Sequence, residues 1–210
     1  LGRAPPGSPL FPSTAFFRSG AVRGNTGSSS VRAGKSPKIN PVGKSVFVEA
    51  WVFVEKPNGV VVAHGGPLNG YSLFVKNGRP QFAARVDEKL HQVGAKESVA
   101  GKWTHLAGAL TSDHKVELYV NYRKAGSTDA SGLIPAEPAQ SIEIGSDEGS
   151  GVGEYKSPYG FTGIIDEVRV AHGTFTAANL AAHFDADEPD GLPGAHGRAS
   201  RRDRVSISAV

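Results

Sequence analysis

The chain has 210 residues, 39% apolar and 20% charged, with 23 Lys/Arg against 20 Asp/Glu and neither Cys nor Met. That length holds one domain with its own core plus tails; the absence of cysteine excludes disulfides, thiol nucleophiles and Cys-ligated zinc, and the longest apolar runs are strand-sized, far short of the roughly 18–20 residues a membrane span requires. The net charge of +3 sits in the flanks: residues 1–44 carry seven Lys/Arg and no acid and 185–210 carry four Arg against five acids, which leaves 12 basic and 15 acidic residues for 45–184, so neither a membrane nor a nucleic acid is expected as partner.

Residues 1–27, rich in Pro, Gly and Ser, read as linker. A first strand starts near "SSVRAG", 29–34. "SVFVEAWVFVE", 45–55, is apolar on both parities, as a central strand covered on both faces requires. "VVVAHGG" is a short strand ending in glycines. "GYSLFVKNGRPQFAARV", 70–86, is a hairpin, because Asn77-Gly78 tolerates the positive φ of a tight turn. "KWTHLAGALTSDHKVELYVNYRKAGS", 102–127, repeats that plan with turns at 112–115 and at Asn121-Tyr122, and "QSIEIGS" adds one more strand. A polar, Gly-rich loop, 146–160, precedes the strand in "GFTGIIDEVRV", 160–170. "TFTAANLAAHF", 174–184, is the one convincing helix, with Thr176 as N-cap and Leu180 and Phe184 on one face. Residues 185–210 form a charged tail.

Many short strands between turn residues, with no βαβ rhythm, predict an all-β fold: a two-sheet antiparallel jelly-roll sandwich spanning 28–184. An immunoglobulin sandwich is the alternative on pattern alone.

"VFVEAWV", "KWTHLAGAL", "LYVN" and "FTGIIDEVRV" followed by a short helix occur in one order. Together they resemble the laminin-G-like domains of the concanavalin A-like lectin and glucanase superfamily. "GVVVAHGGPLNGYSLFVKNGRPQF" and "GSGVGEYKSPYGFTG" are similar to the module at the C-terminal end of bacterial secreted sulfatases, including arylsulfatases. The chain departs from the family pattern at His114 and Tyr122, where turn glycines are common, and at Ala171, where an aromatic often closes the last strand.

The glycan hydrolases of this superfamily place their acids as Glu-x-Asp-x-Glu on one strand, a spacing found nowhere here. A sulfatase needs Cys/Ser-x-Pro-x-Arg, also absent, and no Gly-x-Ser-x-Gly elbow occurs. No catalytic centre is therefore expected in this chain. No histidine pair has zinc spacing. His64, beside Gly65-Gly66, is a ligand contact or a plain turn-flanking residue. His105 is read as packed rather than ligating, and Trp51 and Trp103 as core. Tyr155, Tyr159 and Phe161 lie in or beside the Gly-rich loop, where binding residues concentrate. Asp147, Glu148 and Glu154 share that loop and suit calcium or plain solvation.

Asp166 falls on the parity of Ile164, Val168 and Val170, where a carboxylate needs a partner. The resemblance implies a structural calcium ion there, completed by main-chain carbonyls; the alternative is a carboxylate that accepts backbone N–H bonds.

The expected function is non-catalytic recognition of carbohydrate by a domain appended to a secreted or periplasmic enzyme such as a sulfatase, with Tyr155, Tyr159 and His64 as ligand contacts and Asp166 and Asp147 as metal ligands. The alternatives are a structural or protein-interaction domain packed on a neighbouring catalytic domain and, more weakly, a cryptic glycan hydrolase. Lacking an initiator Met, the chain is expected to be a segment of a longer protein.

Overall fold

The computed structural model describes residues 13–18, 22–24, 30–34, 37–173 and 206–209. In chain order the strands are β1 Ser13–Arg18, β2 Val22–Gly24, β3 Val31–Ala33, β4 Val46–Val54, β5 Gly59–Gly65, β6 Gly70–Lys76, β7 Arg79–Val86, β8 Lys89–Gly94, β9 Trp103–Leu110, β10 Lys115–Val120, β11 Arg123–Asp129, β12 Ile142–Ile144, β13 Gly163–His172 and β14 Ser206–Ala209. They build two sheets, an eight-stranded one in the order β11-β10-β9-β4-β13-β1-β14 with β2 also on β13, and a six-stranded one in the order β3-β12-β5-β6-β7-β8. The strands within each pair antiparallel, so the jelly-roll sandwich expected from the strand pattern is the observed architecture. Among the described residues no helix is long and apolar enough to cross a membrane. The helix expected at 174–184 lies outside the described residues.

The core follows from strand parity. Val46, Val48, Ala50, Val52 and Val54 of β4 meet Tyr71, Leu73 and Val75 of β6 and Phe82 and Ala84 of β7 in one buried cluster. The opposite parity of β4 is buried too, with Phe47 in a second cluster beside Ala107, Ala109, Tyr119 and Ala171. Both faces of β4 are therefore covered, which is why its sequence is apolar throughout. Gly108 lets the sheets close: a Cβ there would lie 2.1 Å from the Phe82 ring.

The turns follow from local chemistry. Asn77-Gly78 takes positive φ at both residues, 54° and 75°, which closes the β6–β7 hairpin as the sequence predicts. Asp87-Glu88, at 47° and 67°, closes β7 onto β8 in the same way, a hairpin without glycine that the sequence does not announce. His114 (φ 60°) and Tyr122 (φ 56°), standing where the family commonly has glycine, adopt the left-handed conformation themselves.

Strand β13 departs from the sequence expectation. Its register on β4 shifts between Asp166↔Trp51 and Arg169↔Glu49, and Glu167 sits at φ 48°. This is a β-bulge, in which one extra residue turns the alternation over. Ile165, Val168 and Val170 all reach the central core, whereas Asp166 takes the opposite side and is only half-buried. Asp166 is thus not on the core parity. Its Oδ1 accepts the Glu167 N–H at 2.8 Å, so the carboxylate caps the bulge from within.

Two further strands fall inside residues 1–27, read above as linker, and β14 falls inside the segment read as tail. Without them β13 would present a bare row of N–H and C=O groups on the side away from β4. β2 pairs with Gly163–Ile165 and β1 with Val168–His172, and the bulge lies between the two stretches.

Candidate functional site

The loop 146–160 lies across the outer face of the six-stranded sheet. Its ends are pinned by backbone bonds from Gly145 N–H to the Val61 carbonyl (3.0 Å), from Phe161 N–H to the Gly145 carbonyl (2.8 Å) and from Val60 N–H to the Tyr159 carbonyl (2.9 Å). The face beneath it is the second parity of β6, Ser72, Phe74 and Lys76, next to Ala83 of β7. Val60, Ala63, Phe74, Ala83 and Val152 form a small apolar cluster there, with Leu90, Tyr155 and Tyr159 packed against it. Gly153 fixes how closely the loop settles, since a Cβ would come within 2.6 Å of the Phe74 ring.

Three rings stand in sequence on this face. Phe74 meets Tyr155 edge-on at 4.8 Å between centroids, and Tyr155 stacks on Tyr159 at 4.9 Å with 17° between the planes. The Tyr155 hydroxyl donates to Asp147 Oδ2 at 2.6 Å and hydrogen-bonds Ser72 Oγ at 2.9 Å. The Tyr159 hydroxyl donates to Asn58 Oδ1 (3.0 Å), which also accepts the Asn77 N–H (2.8 Å). Tyr159 is half-buried, so its ring is held from behind while part of it meets solvent. A rigid, backed aromatic is well suited to stack on the apolar face of a ring at small entropic cost.

Charged groups frame the rings. Asp147 is 1% exposed. Burial pushes its carboxyl above the usual carboxylate range and Glu143 adds to that, against the opposing hydrogen bond from Tyr155 and the N–H groups of Gly149 and Val152. Burial likewise pushes the Tyr155 phenol up, with the Asp147 charge adding to it. Arg32 pairs with Glu143 at 2.8 Å and with Glu148 at 3.3 Å. Lys76 donates to the Glu154 carbonyl at 2.8 Å, Glu154 N–H donates to Gln92 Oε1 at 3.0 Å, and Arg85 Nε donates to the Val152 carbonyl at 2.8 Å.

Tyr155, Tyr159 and Asp147 therefore come together at one site. His64 does not join them: it is 4% exposed and edge-on to Tyr71 at 5.3 Å, on the inner face of β5. Phe161 belongs to the central core. Asn58, Ser72 and Phe74 belong to the site but were not singled out from the sequence; the alternation in "GYSLFVK" carries the signal for Ser72 and Phe74.

Asp166 lies on the other sheet. Calcium takes six to eight oxygens, usually with several carboxylates, and among the described residues no group of three or more His, Cys, Asp or Glu is placed to hold a metal ion. Asp147 accepts from Tyr155 and from the N–H groups of Gly149 and Val152, with the Glu143 carboxylate close enough to raise its pKa further. On the same outer face as Asp166, Glu49 is fully buried between Arg169 (3.0 Å) and His105 (3.1 Å), with Glu167 3.3 Å from Arg169. Trp51 packs edge-on to His105 at 5.5 Å, so His105 and Trp51 are packed residues, as their strand positions predict.

A comparison with curated proteins finds no match. Among solved structures, the receptor binding domain of botulinum neurotoxin D is similar at 12% identity and a TM-score of 0.59, over 79% of this chain and 43% of that one. A structure of botulinum neurotoxin type C, described as dependent for cell entry on interaction with two ganglioside molecules, is similar at 12% identity and 0.57, over 85% and 44%. The heptameric SAP-like pentraxin from Limulus polyphemus is similar at 14% identity and 0.56, over 82% of each chain. The chain spans about two fifths of the length of the neurotoxin domains. At these identities the likeness is one of fold. The family described as the concanavalin A-like lectin/glucanases superfamily, in its laminin-G type, matches residues 25–181, and the chain belongs to it.

Proposed function

We propose that this chain is a non-catalytic recognition domain that binds carbohydrate through the loop 146–160, as part of a larger secreted enzyme. The observation that carries the reading is the half-exposed Tyr159 ring, stacked on Tyr155 at 4.9 Å and tied to Asn58. It combines an apolar platform with polar atoms at its rim, which is what a pyranose ring with its equatorial hydroxyls requires. The ganglioside interaction stated for the type C neurotoxin structure supports the same reading. A sulfatase as the parent enzyme rests on the motif resemblance of "GVVVAHGGPLNGYSLFVKNGRPQF" and "GSGVGEYKSPYGFTG" alone. A domain of this kind raises the effective concentration of its enzyme at a polysaccharide even when each contact is weak.

A glycan array probed with the wild-type chain and with Tyr159→Ala tests the proposal. Binding to at least one glycan, lost in Tyr159→Ala while the melting curve is kept, is expected. Silence of the wild type across the array refutes it.

A further inference from the structure

One end of the sandwich differs in charge from the rest. The turns that meet there are 55–58 between β4 and β5, 76–79 between β6 and β7, 95–102 leading into β9, 121–124 between β10 and β11, and 154–162 leading into β13. Backbone bonds tie four of them together: Gly78 N–H to the Pro57 carbonyl (2.7 Å), Val99 N–H to the Gly78 carbonyl (2.9 Å), Gly101 N–H to the Val54 carbonyl (2.9 Å) and Lys56 N–H to the Thr162 carbonyl (3.3 Å). The Asn121 N–H bonds the His105 carbonyl near the start of β9 at 2.8 Å, which brings the fifth to the same end. These segments hold eight Lys or Arg against Glu55, Glu97 and Glu154, whereas residues 45–184 as a whole hold 12 basic against 15 acidic residues. Eight of the 12 Lys/Arg of residues 45–184 are thus gathered at one end.

Most of this charge is available. Lys76 is held by Glu154 at 3.5 Å and Lys124 by Glu117 at 2.5 Å. Lys56, Arg79, Lys96, Lys102 and Lys156 are exposed, and none of them forms an ion pair among the described residues. Tyr159 and Asn58 stand within this rim, with Lys156 on the same loop, Lys56 two residues before Asn58, and Arg79 opposite Lys76 in the β6–β7 register. Like charges left unpaired around an aromatic platform raise the local concentration of anions.

Resting on the carbohydrate reading above, we propose that this rim selects anionic polysaccharide, with Lys56, Arg79 and Lys156 pairing to sulfate or carboxylate groups on sugars flanking the one stacked on Tyr159. The shared chemistry is a repeating anion on a sugar backbone. A single backed tyrosine with an amide beside it favours a sugar polymer over a nucleic acid, which is generally bound by stacking successive bases on several rings.

The test uses three polymers of one backbone, dextran, carboxymethyl-dextran and dextran sulfate, with single-stranded DNA as a competitor, measured by biolayer interferometry on the full chain. Expected is binding to one or both charged dextrans, weakening from 50 to 300 mM NaCl, and a loss of about tenfold or more in the triple variant Lys56→Ala/Arg79→Ala/Lys156→Ala, which removes three exposed pairs. Lys89→Ala, at the opposite end of the sheet, leaves binding unchanged. Comparison of the two charged dextrans separates carboxylate from sulfate recognition. Equal binding to neutral dextran, or an unaffected triple variant, overturns the charge inference and leaves the carbohydrate reading standing. Failure of every dextran to bind overturns the charge inference, and the glycan array then decides the carbohydrate reading independently. DNA binding tighter than any dextran and lost in the triple variant overturns both.

Discussion

Tyr155→Phe removes one oxygen and keeps both ring contacts, to Phe74 at 4.8 Å and to Tyr159 at 4.9 Å. What it takes away is the 2.6 Å hydrogen bond to Asp147 Oδ2, a charge-assisted bond to a carboxylate that is 1% exposed, together with the neutral 2.9 Å bond to Ser72 Oγ. Losing a donor to a buried charged acceptor costs about 1.5–3 kcal/mol. Asp147 is covered by its own loop rather than set deep between the sheets, and keeps the N–H groups of Gly149 and Val152, so about 1–2 kcal/mol is the appropriate part of that range. For a domain of this size that corresponds to a fall of roughly 3–6 °C in Tm. The pH dependence identifies the cause. Burial holds the Asp147 carboxyl above its ordinary range and the phenol opposes that rise, so Tyr155→Phe raises the folded value further. The deficit is therefore full at neutral pH and shrinks as pH falls through the raised folded-state values, above the ordinary aspartate value of about 3.9, because Asp147 then protonates in the folded state of both proteins and the lost bond is no longer one to a charge. Urea titrations of both proteins from pH 7.5 to 4 measure it. A deficit that stays constant across that range, or none at pH 7.5, refutes the support of Asp147 by Tyr155.

His172, at the end of β13, is 2% exposed. Burial lowers its ring pKa, and the carbonyls of Ile39 and Ser45 offset this only in part. A folded value below the ordinary one means that stability is full above about pH 6.5 and falls as pH drops through that value towards the lowered one; chemical denaturation between pH 7.5 and 5 should show this slope, and His172→Phe should flatten it. Arg169→Leu leaves Glu49 buried without its guanidinium partner and should cost about 3–5 kcal/mol, checked by guanidinium denaturation; a loss under about 1 kcal/mol would show that the pair is not a net support. At the bulge, Asp166→Asn keeps an acceptor for the Glu167 N–H and should be nearly neutral, whereas Asp166→Ala should lose about 1 kcal/mol, as when a helix loses its cap. Wild-type Tm should not move between EDTA and millimolar calcium; a shift of several degrees that Asp166→Asn abolishes would establish a calcium site.

The sandwich was legible because alternation is a property of the sequence. The two apolar parities of β4, the Asn77-Gly78 turn and the apolar positions of β10 each translate directly into an observed strand or hairpin. Legibility ended where the backbone departed from regular alternation. The parity argument for Asp166 assumed an uninterrupted strand, and the extra residue at Glu167, marked by neither Gly nor Asn, reverses the assignment of everything before it. The Asp87-Glu88 turn was missed for the same reason, since its left-handed residues lack the usual chemistry. The strands at 13–18 and 22–24 were hidden by the Pro- and Gly-rich composition around them, and what calls for them is the unpaired side of β13, which exists only once the sheet is assembled.

The site was legible in part for a related reason. A Gly-rich loop with two tyrosines and an acid points to those residues, but not to what lies beneath. Its partners Ser72 and Phe74 come from a strand some 80 residues earlier, and Asn58 from a turn earlier still. Even so, their contribution follows from the β6 alternation once it is assigned to two faces. Tyr71, Leu73 and Val75 fill the core, so Ser72, Phe74 and Lys76 must face outward, and an outward-facing phenylalanine on a half-covered sheet needs a cover. The loop supplies it, with Val152 and Tyr155 over Phe74 and with Gly153 allowing the close approach. Tyr159, next in the stack, is the outer ring of the three, and binding is assigned to it rather than to Tyr155 because the Tyr155 hydroxyl is committed to the buried Asp147. The distinction predicts different losses: truncating Tyr159 should affect ligand affinity with little change in stability, whereas truncating Tyr155 should affect stability first.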